Sequence, residues 1–407
     1  MKYIKKLLLL ILVVASILLL GTPKAYAQSN DSNKKEPLEE EVLKNTQATE
    51  LAVTLNNIFQ ENRISKSNDN SYSGVYIDED DVVNIGIKIE SIHGFEQHLR
   101  NTKSIIDNYT DSEEFKIIGM KFSLLELTSV RDQIIDIRNS FGFEIHSVSI
   151  IQKLNKVVVM LNDLNYSDSL ISELQNRIYN FNSDILQIEV KDKDSTLKAD
   201  TVRSSEEIRH RTKFLFIWIT QWKGTIGFNA TRNGVKGIVT NAHVAPLNHA
   251  MYTSNNKYIG QSSIAIYNGQ VDASFVPFAD QNEWDTTYLL PYVPEITPEI
   301  GWTSEVAEGT KIKSQGITTG VLYGQVQSIY HSENINDNGV ITFFTDLIKH
   351  NIPIQPGDSG GPIFLYYPKR IVYGLAGLNF AGNGTTGLAI KIDKIVNQLG
   401  VEPITKY

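Results

Sequence analysis

The chain has 407 residues and no cysteine. That excludes disulfides, thiolate zinc sites, iron–sulfur clusters and a cysteine nucleophile. Positive charge is also in the minority: 38 Lys+Arg stand against 46 Asp+Glu, for a net charge of −8. A nucleic-acid partner would call for a basic face, so none is expected. No His-Glu-x-x-His string occurs among the eight histidines, and neither a metal nor another cofactor is expected. Long apolar runs are absent after the first 20 residues. The remaining composition, 41% hydrophobic and 21% charged, is that of a folded chain, long enough at ~150 residues per domain for two or three domains.

The one apolar run is Leu7–Leu20, preceded by three lysines within Met1–Lys6 and followed by Gly21, Pro23 and Ala25-Tyr26-Ala27. This pattern is a secretory signal peptide over residues 1–27, with an Ala-x-Ala cleavage site. Contact with the membrane is expected only through that peptide before cleavage. Export without cysteine points to secretion from a Gram-positive-type cell.

The mature chain is built in two styles. Residues 214–407 hold 21 of the 27 glycines, all four tryptophans, 12 basic and 14 acidic residues, against six glycines, 26 basic and 32 acidic residues in 1–213. The Gly-rich, low-charge half reads as all-β and the other as mixed α and β. Residues 28–72 read as a flexible polar lead with one short helix near 37–60. Over 73–190 the pattern runs strand–helix–strand twice, with helices predicted around Phe95–Tyr109, Leu124–Phe141 and up to Ile178, the last capped by Ser167 or Ser169. Residues 191–213 are charge-dense, without apolar periodicity, and read as a linker with a processing site near Arg203–Lys213. After 214 come two groups of about six short strands, split at Pro291–Pro298, which predicts two packed β-barrels.

Three places carry chemistry. In Gly357-Asp358-Ser359-Gly360-Gly361-Pro362, the glycines clear space around a hydroxyl and permit a turn that aims the Gly357 and Ser359 N–H groups at one point, an oxyanion hole. In Gly237–Val244 a strand ends in small residues and then His243, poised at a cleft. In Val271–Val276 an acid, Asp272, stands inside an apolar strand, where a carboxylate is costly unless it accepts hydrogen bonds. Asp280 and Asp285 compete for the same role, but both lie in a polar stretch read as a loop. An α/β-hydrolase places its histidine after its serine. Here the last histidine, His350, precedes Ser359, which excludes that fold.

These segments, with Gly224–Arg232, Gly316-Ile317-Thr318-Thr319-Gly320 and Gln355-Pro356, resemble the chymotrypsin-fold serine peptidases of the α-lytic protease and streptogrisin type. The resemblance covers about 190 residues in the family's order. It implies a fold class that is mixed: an all-β, double-barrel, trypsin-like protease domain over 214–407, preceded by an α+β pro-region over 73–190. It implies a nucleophile at Ser359, a base at His243 and its orienting acid at Asp272. The product would be a secreted endopeptidase acting on protein or peptide substrates through an acyl-enzyme, with its own pro-region as intramolecular chaperone and inhibitor. The alternative is a catalytically impaired binding protein on the same scaffold. The family's cysteines are replaced as a set: Val244 follows the histidine, Tyr323 precedes Gly324, and Pro353 stands before Ile354. The pocket-wall candidates are Ile354 opposite Ala376-Gly377-Leu378, where the last three replace the family's Ser-x-Gly. Neither strand offers a charge, so a small or medium apolar P1 residue is expected.

Overall fold

The computed structural model describes residues 39–65, 71–89, 115–178, 181–190, 207–214, 217–282, 299–303, 305–337, 339–365 and 372–405. The expected signal peptide, the helix around Phe95–Tyr109, the Pro291–Pro298 crossing and Arg203 lie outside these residues.

The short helix expected near 37–60 is present but longer, and it is packed where a flexible lead was expected over 28–72. Helix α1 (Glu39–Ser65) buries Ala48, Ala52, Leu55 and Phe59, spaced at four, three and four. Polar neighbours hide this narrow stripe in the sequence, and two of them, Asn45 and Thr49, are themselves buried. Strands β1 (Tyr72–Ile77), β2 (Val83–Lys88) and β3 (Phe115–Met120) form a three-stranded sheet, β2 parallel to β3. Helix α2 (Leu124–Ile137) starts on a capping box, in which the Glu126 N–H donates to Ser123 Oγ at 3.2 Å and the Ser123 N–H donates to Glu126 Oε2 at 2.8 Å. β4 (Ile145–Ile151), β5 (Lys156–Leu161), α3 (Ser167–Arg177) and β6 (Leu186–Val190) follow. Ser167 lies inside α3, whose N-cap is Tyr166 and has no side-chain cap.

Among its described residues, the C-terminal half is all-β apart from one helix. β7 (Glu207–Phe214) and β8 (Ile217–Thr225) pair with each other; β9 (Phe228–Arg232) and β10 (Val235–Thr240) follow as a hairpin over Asn233-Gly234. β11 (Ala250–Thr253), β12 (Tyr258–Gln261), β13 (Ile264–Tyr267) and β14 (Asp272–Pro277) complete the first group. They form two sheets, ordered β12-β11-β7-β8 and β13-β14-β10-β9-β22, where β22 is Glu402–Pro403. The second group holds β15 (Glu299–Thr303), β16 (Lys311–Gly316), β17 (Gly320–Asp337), β18 (Val340–His350), β19 (Pro362–Leu365), β20 (Val372–Gly382) and β21 (Gly387–Lys391). Here the pairing order β16-β19-β20-β21-β18-β17 returns to β16, so this sheet closes on itself as a barrel. Helix α4 (Ile392–Leu399) packs Ile392, Ile395 and Leu399 into a core shared by both groups, where Phe228 and Phe275 meet Phe364 and Phe380.

The linker expected over 191–213 ends earlier than its charge suggests. Residues 207–214 are paired on one side with β8, and residues 208–210 on the other side with β11. Among the described side chains, buried Glu207 meets Arg209 and Lys223, and His210 rests edge-on against His249 at 4.3 Å.

The α/β region docks directly on the closed barrel. β4 pairs antiparallel with β17, matching Ser147–Ser149 to His331–Glu333, so β4, β5 and β6 extend the barrel sheet. The Ser328 hydroxyl donates to the Ile150 carbonyl at 2.9 Å. The Gln152 and Lys153 N–H groups donate to the Glu308 carboxylate at 2.9 and 3.3 Å. Helix α1 joins through Asn45, which donates to Asp81 at 2.6 Å and accepts from the Lys311 N–H at 2.6 Å.

Candidate active site

β10 and β14 are neighbours, with Thr240 opposite Ser274, so the end of one strand faces the start of the other. Past Thr240 the chain makes a helical turn in which the Asn241 carbonyl accepts from the Val244 and Ala245 N–H groups. That turn brings His243 over Asp272. Asp272 Oδ1 accepts from the Ala242 and His243 N–H groups at 2.7 and 3.1 Å, and Oδ2 accepts from the His243 Nδ1–H at 2.5 Å. The carboxylate is completely buried. Three charge-assisted bonds offset its desolvation. With Nδ1 donating, Nε2 carries the lone pair, and among the described residues it has no partner. Asp280, in the loop after β14, bonds to the backbone of Asn282.

The Ser359 turn is held against this strand end. Gly360 has φ +88°, and a Cβ there would stand 2.2 Å from both the Thr225 carbonyl and Thr240 Oγ1. The Thr225 N–H donates to the Ser359 carbonyl at 2.8 Å. A Cβ on Gly224 would lie 2.5 Å from a Val244 methyl carbon and 2.9 Å from the Ser359 carbonyl. The histidine turn and the serine turn therefore meet across Gly224 with no room for a side chain between them. The Ser359 hydroxyl itself donates to the Phe380 carbonyl at 3.3 Å.

Asp358 organises the turn from inside. Its Oδ1 accepts from the Thr318 and Thr319 N–H groups at 2.9 and 3.0 Å and its Oδ2 from the Gln355 N–H at 2.9 Å. Burial nevertheless pushes its carboxyl above the usual value. Among the described residues the Gly357 and Ser359 N–H groups have no acceptor. Both belong to one tight turn, and together they can hold a developing oxyanion.

The pocket differs from expectation. Ala376 and Leu378 are buried in the sheet, with β20 bonded to β19 and β21 through Gly377–Leu378. Leu378 packs beneath Gly227, where a Cβ would meet it at 2.6 Å. The backbone that reaches Ser359 comes four residues later, at Phe380–Gly382. A Gly followed by a hydrophobic residue occurs more than once in β20, and only pairing with β19 decides which turn of the pleat meets the serine. Ile354 lies instead against Gly382 and Gly387: a Cβ on Gly382 would be 2.9 Å from it and one on Gly387 2.5 Å. Behind it, buried His350 accepts from the Ile352 N–H at 3.3 Å and bonds to Asn379 Oδ1 at 3.0 Å. Burial lowers its pKa to about 4, so it brings no charge to the pocket at neutral pH.

Among the described residues no group of three or more His, Cys, Asp or Glu is placed to hold a metal ion, and no helix is long and apolar enough to cross a membrane.

No family model matches the chain, and no curated protein matches it. Among solved structures it is similar to Thermobifida fusca protease A at 17% identity and a TM-score of 0.40, covering 52% of this chain and 99% of that one. It is similar to Nocardiopsis protease at 22% identity and a TM-score of 0.38, covering 45% and 93%. It is also similar to a glutamic-acid-specific serine protease described as using a histidine triad in substrate binding, at 19% identity and a TM-score of 0.37, covering 45% and 94%. Each likeness covers about half of this chain.

Proposed function

We propose that the chain is a secreted serine endopeptidase made as a pre-pro-protein. The observation that carries this reading is the His243–Asp272 pair, whose unpartnered Nε2 sits beside the turn that presents Ser359 and two vacant N–H donors. In the reaction, His243 Nε2 takes the Ser359 proton as Oγ bonds to the scissile carbonyl carbon. The carbonyl oxygen becomes an oxyanion held by the Gly357 and Ser359 N–H groups. His243 then gives the proton to the leaving amine as the C–N bond breaks, and Asp272 keeps the imidazole in the Nδ1–H tautomer. Water repeats the sequence to release the acyl group. No cofactor takes part.

The α/β region over 73–190, together with α1, acts in this reading as a folding template and inhibitor. Support comes from its strand pairing with β17 and the Glu308 and Asn45 contacts. Non-local strand pairing slows folding, and no disulfide restrains the unfolded chain.

A second reading, a protease scaffold that binds without cutting, is favoured by one observation: the Ser359 hydroxyl bonds to Phe380 and not to His243. A fluorophosphonate probe separates the two. The enzyme is labelled on Ser359 and the binder is not.

A further inference from the structure

The two oxyanion donors differ in what fixes them. The Ser359 N–H sits inside the turn, whose flanking amides are bonded on both sides: Asp358 N–H to Gln355, Gly360 N–H to Asn379. The Gly357 N–H belongs to the Pro356–Gly357 peptide, and Gly357 has φ +97°, where a glycine backbone is free to rotate. Something outside the turn must set the direction of that peptide plane.

The Thr318 hydroxyl donates to the Pro356 carbonyl at 2.5 Å. In a planar trans peptide the C=O and the following N–H point in opposite directions. Holding the Pro356 carbonyl toward Thr318 therefore aims the Gly357 N–H the other way. The next peptide is held too: the Thr225 hydroxyl donates to the Gly357 carbonyl at 2.7 Å and accepts from the Ile317 N–H at 3.1 Å. Thr318 is itself anchored, because its N–H donates to Asp358. The fit is close, since a Cβ on Gly357 would stand 2.6 Å from Thr318 Oγ1 and one on Gly316 would stand 2.1 Å from Asp358 Oδ1.

We infer that Thr318 is a positioning residue for the oxyanion hole, its hydroxyl holding the Pro356–Gly357 peptide in the orientation that presents the Gly357 N–H to the substrate. This rests on the serine-peptidase reading. It assigns a task to the Ile317–Thr319 turn, which touches neither His243 nor Asp272. The Thr318 side chain is exposed, so removing its hydroxyl leaves the core packing unchanged.

The test compares Thr318→Val, which keeps the shape and loses the hydroxyl, with Thr318→Ser, which keeps the hydroxyl. Three quantities are measured on the full chain: the rate of Ser359 labelling by a fluorophosphonate, kcat and KM for a small ester, and the affinity of a short apolar peptide boronic acid that forms a tetrahedral adduct. Thr318→Val is expected to slow labelling and lower kcat by about 10- to 100-fold, part of the effect of losing one oxyanion donor. KM stays within about twofold, because this contact acts on the transition state and not on ground-state binding. Boronate affinity falls by the same factor as kcat, and Thr318→Ser restores all three. The inference is overturned by a Thr318→Val protein labelled at the wild-type rate, by a loss confined to KM, or by a serine variant no better than valine. A wild-type chain that takes no label on Ser359 overturns the serine-peptidase reading itself, and the inference with it.

Discussion

The Ser359 hydroxyl points at the Phe380 carbonyl, 3.3 Å away, while His243 Nε2 stands buried with no partner. In the proposed reaction these two groups would have to meet, with the Ser359 hydroxyl leaving the Phe380 carbonyl. Turning χ1 of a serine costs little, and hydrogen bonds in unliganded catalytic sites commonly tighten only when substrate arrives.

Removing the hydroxyl tests the assignment most directly. Ser359→Ala is expected to abolish fluorophosphonate labelling and hydrolysis while leaving the thermal unfolding temperature unchanged. Asp272→Asn is expected to lower turnover by about 10⁴, because an amide at Oδ2 favours the wrong His243 tautomer. Asp280→Asn serves as the control. A large loss there with a small one at Asp272 would reassign the acid.

In the proposed peptidase, specificity is expected to turn on Ile354. Its side chain occupies the space that Gly382 and Gly387 leave open, and His350 behind it is uncharged at neutral pH. Cleavage of a peptide library is expected after small apolar residues. Ile354→Ala is expected to move the preference to larger apolar residues while costing roughly 2–4 kcal/mol of stability, as for other buried aliphatic truncations. Cleavage mainly after Lys, Arg or Glu would contradict this account of the pocket.

The first strand of the barrels constrains processing. Glu207–Phe214 is bonded to β8 and β11 together, and a protease needs an unpaired, extended segment. N-terminal sequencing of the protein recovered from culture medium is expected to start before Glu207. A start inside 208–214 would show that this strand is dispensable.

Docking of the α/β region carries two opposing titrations. Burial holds the His331 imidazole below its ordinary 6.5; it bonds to Ser149 Oγ and, at 2.6 Å, to Glu333. His146 lies on the other Glu333 oxygen at 3.1 Å, and Lys349 adds positive charge nearby. Once unfolded, His331 takes a proton below about 6.5 that the docked ring resists, so acid weakens the folded state here. Glu308 acts in the other direction. Burial raises its carboxyl to about 7 from 4.5, so between those values the folded chain holds a proton that the unfolded chain has lost. Its contribution is present at low pH and lost as pH rises through 7. Glu308→Gln removes this second titration. In urea unfolding of the full chain, the variant is expected to gain about 2 kcal/mol relative to wild type between pH 5.5 and pH 8. A constant difference across that range would show that Glu308 does not titrate there.

Local pattern alone was enough for much of this protein. The capping box at Ser123–Glu126, the hairpin at Asn233-Gly234 and the Gly357–Gly361 turn are written in adjacent residues, because each depends on backbone angles that only certain side chains permit. The order of His243, Asp272 and Ser359 could be read for the same reason: each stands in a short segment of distinctive composition. What the chain could not reveal locally were relationships between strands. Glu207–Phe214 looks like a linker because its strand partners, β8 and β11, are fixed by pairing that leaves no local periodicity. The helix α1 was legible but its packing was not, because only a narrow stripe of it is buried, with hydrogen bonds to residues 36 to 264 positions away. The four-residue step from Ala376–Leu378 to Phe380–Gly382 was decided by the register of β20 on β19, which flips and shifts every side chain together. The separate pairing of β16 with β19 brings Thr318 to Pro356, a contact between two turns far apart in sequence.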